Sequence, residues 1–230
     1  MSMSPRHPVD PVDDRAEAPA APASPSRRRF VRNVGLGAAA LGAAAATGTA
    51  LTDVASAQAT GATDPPDLSA SDIALVQFLQ SVSLAGKDGL ATAADKPGLA
   101  SGLAEELRTF SRHHGTQATT LGTLLSEENN IAAANPKLIA QLDGKVNGAG
   151  DQAALVDVLL EFEEQVSATM LQAMGQAQSF VVSGPVGSAL AVIGQQAAAL
   201  GSAAGKPIGD WLPAFGSTDG ALTPAAYPAR

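Results

Sequence analysis

At 230 residues, with 14 Lys and Arg against 22 Asp and Glu, the chain carries a net charge of −8 and has no cysteine. That excludes disulfides and thiolate metal sites and argues against nucleic acid as a partner. Aromatic residues make up 3% of the chain, so a core must be built from leucine with close-packed alanine and glycine. That composition suits helices and not a β-sandwich.

The first 26 residues are rich in Pro, Ala and Asp and lead into Ser26-Arg27-Arg28-Arg29-Phe30-Val31-Arg32. An uncharged Ala/Gly stretch follows over 34–52, then A-x-A arrangements at Ala55-Ser56-Ala57 and Ala57-Gln58-Ala59. Charged, apolar and cleavable parts in that order read as a signal peptide spanning 1–59. Ser26, Arg27, Arg28, Phe30, Val31 and Arg32 fill a twin-arginine pattern, and an apolar part with only Val34, Leu36, Leu41 and Leu51 as large residues suits that route. A membrane anchor is the competing reading of the stretch, weakened by the small transfer gain of Ala and Gly. Cleavage near Thr60 leaves eight Lys and Arg against seventeen Asp and Glu, nine charges negative. The expected product is exported to the periplasm, cell envelope or medium, with the twin-arginine translocase as its partner during export.

A linker over 60–68 contains Pro65-Pro66. Ser69 or Ser71 then caps a first helix ending near Ala94, with Ile73, Leu75, Val76, Leu79 and Val82 as its apolar stripe. Asp95-Lys96-Pro97-Gly98 turns the chain. The second helix, 99–125, places Leu103, Leu107, Phe110, His114, Gln117, Leu121 and Leu124 at alternating spacings of four and three, one continuous seam. Residues 126–150 form a long connection with one short helix starting at Pro136. The third helix, 152–179, carries Val156, Leu159, Glu163, Val166, Met170 and Ala173 along its seam. Gly184-Pro185 is read as the next turn, with Pro185 at the first position of a fourth helix over 186–204. Its seam is Ala189, Ile193, Gln196, Leu200 and Ala203. Short, long and short loops predict a four-helix bundle over 69–204 with a crossover between helices two and three. The tail, 205–230, is expected to be irregular, with Trp211 and Phe215 sealing one end.

Several phrases in this order resemble a known family: the twin-arginine leader, Phe110-Ser111-Arg112-His113-His114, Asn135-Pro136, Leu160-Glu161-Phe162-Glu163 and the terminal Ala221-Leu222-Thr223-Pro224. From about 67 to 228 the chain resembles the exported ferritin-like domain proteins of bacteria, relatives of ferritin and rubrerythrin. The resemblance implies an all-α, ferritin-like bundle with a di-iron centre ligated by two Glu residues and two Glu-x-x-His pairs. Carried onto this chain, those positions are Ser83, His114 (or His113) with Gln117, Glu163, and Ile193 with Gln196. One carboxylate and one imidazole remain of the ligand set.

Two multivalent cations in a low-dielectric interior need anionic ligands, and Glu163 alone does not supply them. The resemblance therefore implies a degenerate di-iron site and no catalytic residues. A single weakly held ion on Glu163, His114 or His113 stays open. The preferred expectation is a buried polar layer of Glu163, His114, Gln117, Gln196 and Ser83, with Glu163 and His114 as a charge-assisted pair. Glu161 and Glu164 fall off the seam, as a solvated face. Met170 and Met174 read as core filling and not as haem ligands. Together these features predict a non-catalytic structural or binding protein of the cell envelope, with homodimerisation open; a metal-dependent oxidoreductase or iron-handling protein is the rival.

Overall fold

The structure, a computed structural model, describes residues 65–207 and 217–229. The signal peptide read over 1–59, and Trp211 and Phe215, lie outside the described residues. Among the described residues the chain is all-α, with five helices: α1 Ala70–Ala94, α2 Ser101–Gly122, α3 Pro136–Gly148, α4 Gln152–Gln176 and α5 Phe180–Ala203. A short 3-10 turn at Glu127–Asn129 follows α2.

Local chemistry sets most of the boundaries. Ser69 caps α1 by accepting from the Asp72 amide, Asn135 caps α3 through the Leu138 amide, and Asp151 caps α4 through the Ala154 amide. Pro136 sits in the first turn of α3, where its missing N–H costs nothing. Gly98, with φ of 86°, supplies the left-handed residue in the turn after α1.

The start of the last helix differs from the sequence expectation. The chain turns at Ala177–Ser179, where the Ser179 hydroxyl accepts from the Val181 amide, and Pro185 lies inside α5. A proline this early removes only the bond to the Val181 carbonyl, and Gly184 before it relieves the crowding that a side chain would meet. The Gly-Pro pair read as a turn is thus tolerated within a helical second turn. Ala203, expected on the seam, is exposed at the last turn of α5.

The remaining seams pack as their spacing requires. The second helix, expected over 99–125, ends at Gly122; its six seam residues from Leu103 to Leu121 and all six of α4 are buried, as is Leu124 just past the helix. Leu79, Leu90, Leu107, Leu121, Leu159, Met170, Ile193 and Leu200 are among the largest side chains fully removed from water. Burial of each such side chain contributes about 1.5–3 kcal/mol. On α1, Val76, Leu79 and Val82 enter the core, whereas Ile73 and Leu75 are half-buried at its margin. All five helices contribute to the core, Leu138, Leu142 and Val146 from α3, which packs against α1 and α4.

Three polar contacts fix which helix ends meet. The Asp72 carboxylate, in the first turn of α1, accepts from the Gln178 amide just past α4 at 3.0 Å. The Ala100 amide, before α2, donates to Gln152 Oε1 at the start of α4 at 2.9 Å. Lys96 Nζ, after α1, donates to the Val146 and Ala149 carbonyls at the end of α3. The C-terminal strand of chain is tied down as well: Leu222 is buried and its amide donates to Thr169 Oγ1 at 2.8 Å. Asn135 Nδ2 donates to the Tyr227 and Pro228 carbonyls. No regular helix occurs in 205–207 or 217–229.

A buried polar layer as the candidate functional site

Halfway along the long helices the apolar interior gives way to polar side chains. His114 of α2 and Glu163 of α4 are both fully buried, and His114 Nε2 lies 3.1 Å from Glu163 Oε1 and 3.3 Å from Oε2. Heptad-like spacing puts each at a seam position, so neither reaches solvent without leaving its rotamer. The Phe162 ring packs against the imidazole with centroids 6.0 Å apart, closing one side. Gly86 of α1 also lies against the ring: a Cβ there would stand 2.6 Å from His114 Nδ1 and 2.9 Å from two ring carbons. Gly86 is therefore the residue that admits the imidazole. Its Nδ1 has no hydrogen-bond partner among the described residues.

Sequence reasoning put His113 and His114 forward as alternatives for one position. The structure separates them, because neighbours on a helix point about 100° apart. His113 is half-buried and faces α5, where Gln196 Nε2 lies 3.1 Å from its Nδ1. Burial, then the neighbouring His114 and Arg112, push its pKa below the usual 6.5, which favours the neutral ring as acceptor of that bond.

Ser83 is fully buried, and its hydroxyl donates to the Leu79 carbonyl of its own helix at 2.9 Å. Gln117 is 8% exposed with neither amide atom partnered among the described residues, and Gln196 Oε1 is likewise unpartnered. Ile193 is fully buried and apolar. Thus His114 meets Glu163 and His113 meets Gln196, while Ser83 turns to its own backbone. The acids flanking Glu163 leave the interior: Glu161 is exposed and pairs with Lys145 at 2.8 Å, and Glu164 is partly exposed. Burial raises the pKa of Glu164, opposed by Lys206 and reinforced by Glu161. Met170 fills the core and Met174 is 38% exposed.

Three residues escaped the sequence reading. Ser167, one turn beyond Glu163, is 5% exposed with an unpartnered hydroxyl among the described residues. Gly86 could have been noticed as a glycine inside an apolar helical stripe. Gln80 is a third: its amide donates to the Ala118 carbonyl and Asn130 Oδ1 and accepts from the Ile131 amide, pinning the α2–α3 connection to α1. An open depression of about 390 Å³ beside it is lined by Leu84, Thr119, Gly122 and Thr123 among others.

No group of three or more His, Asp or Glu side chains suited to a metal ion occurs among the described residues. The interior donors at this level are one carboxylate, one imidazole bonded to it, and neutral amides and hydroxyls. No protein-family model, curated protein or solved structure matches the chain.

Proposed function

We propose that the chain is an exported ferritin-like four-helix bundle whose di-metal centre has been lost, acting as a non-catalytic structural or binding protein of the cell envelope. Support for the topology comes from the helix ends. The starts of α2 and α4 meet at Ala100 and Gln152, and further along the same two helices meet again at His114 and Glu163. Two such contacts, in the same order on both helices, support a parallel run of α2 and α4. That sense supports reading the connection with the 3-10 turn and α3 as the crossover of a ferritin-like arrangement. The twin-arginine leader supports export.

The observation that carries the functional reading is the pairing of Glu163 with His114. Among the described residues, the one buried carboxylate in this layer already faces the one buried imidazole. A di-iron group does not fit these donors: Ser83 bonds its own helix, Ile193 offers no ligand, and Gln117 and Gln196 are neutral. The layer instead sets which helix faces meet and in what register, which an interior of Ala and Leu alone specifies poorly.

Thermal unfolding with and without Fe²⁺ or Mn²⁺ tests the reading. A ligand at about a hundred times its Kd stabilises by about 2.7 kcal/mol. Neither ion should move the Tm. A saturable rise abolished by Glu163→Ala would instead favour the rival, an iron-handling protein or oxidoreductase using Glu163 and His114.

A further inference from the structure

We propose that the layer binds an internal water held between Gln117 of α2 and Ser167 of α4. This deepens the reading above and rests on it, since it names a ligand of the same buried layer. Gln117 lies three residues beyond His114 and Ser167 four beyond Glu163, on helices whose common sense the Ala100–Gln152 and His114–Glu163 contacts support. At about 1.5 Å per residue both stand one turn past the ion pair, within about 1.5 Å of the same level. Each is more than nine-tenths buried, and each carries a polar group with no partner among the described residues.

The pattern of unmatched atoms selects the ligand. Gln117 leaves both its Nε2 donor and its Oε1 acceptor unmatched. A cation would serve only the oxygen and an anion only the nitrogen. Water donates and accepts, and a buried water typically makes about three hydrogen bonds. The Ser167 hydroxyl can take either role, so Gln117 and Ser167 together supply that number. Leaving a buried polar group unmatched is costly, whereas a bridging water is nearly as good as a direct bond.

Oxygen-17 relaxation dispersion on the full chain counts long-held water oxygens without interference from exchanging hydroxyl protons. Gln117→Met keeps the length of the side chain and removes both polar atoms; Ser167→Ala removes the hydroxyl. Each variant should lose the contribution of one water relative to the parent, and Ser167→Thr should retain it. Should Gln117→Met fail to fold, the Ser167 pair gives the same readout. Dispersion unchanged in the folded variants overturns the proposal and leaves the metal-free reading standing. Saturable Mn²⁺ broadening or Ca²⁺ shifts of the Gln117 side-chain amide signals overturn both.

Discussion

Replacing Glu163 with Leu should be strongly destabilising, and replacing its partner at the same time should undo most of the damage. Both members of the pair are fully buried, 3.1 Å apart, with Phe162 and Gly86 against the imidazole. Removing one partner of such a pair strands a buried polar or charged group and costs about 3–5 kcal/mol. For a domain of about 150–250 residues each kcal/mol lowers the Tm by about 2–4 °C, so Glu163→Leu and His114→Leu should each lose about 6–20 °C. The double variant buries two leucines where two polar groups stood and should return to within about 1–2 kcal/mol of the parent, or exceed it. Urea unfolding followed by circular dichroism provides the four corners of the cycle. If the double variant loses the sum of the single effects, the two side chains are not coupled and the layer does not pair α2 with α4 as described.

Gly86→Ala should destabilise by about 1–3 kcal/mol through overpacking against His114, outweighing the gain of about 0.5–1 kcal/mol that alanine usually brings to a helix; denaturant midpoints check it. Asn135→Ala removes the cap of α3 and the two bonds that Asn135 Nδ2 donates to the tail. It should cost about 2 kcal/mol and raise amide exchange around Leu222 and Tyr227, measured by mass spectrometry. His113 has a lowered pKa in the folded chain, so below its usual 6.5 the unfolded state takes the proton first. Its contribution to stability is present above that value and lost as the pH falls toward the folded pKa. Tm against pH should therefore drop more steeply below about 6.5 in the parent than in His113→Gln.

Helix seams were legible because burial repeats at three and four residues, as Leu103 to Leu121 on α2 and Val156 to Ala173 on α4 illustrate. The position of Glu163 and His114 on those seams was enough to bring them together. Pro185 misled because a proline marks an early helical turn without saying which one, and the cap at Ser179 is a single hydroxyl with no capping box to announce it. His113 could not be told from His114 by composition; only the rotation of α2 relative to α5 sends it to Gln196. Gln80 and Asn135 were unreadable for a different reason. Most of their partners lie in the connection and the tail, up to 93 residues away, where no periodicity points.

Elemental analysis of the protein purified from its native host tests the proposed loss of a metal centre most directly. Iron and manganese should be far below one equivalent per chain, with no difference between the parent and Glu163→Ala. One or two equivalents of either metal, lost in Glu163→Ala, would contradict the account.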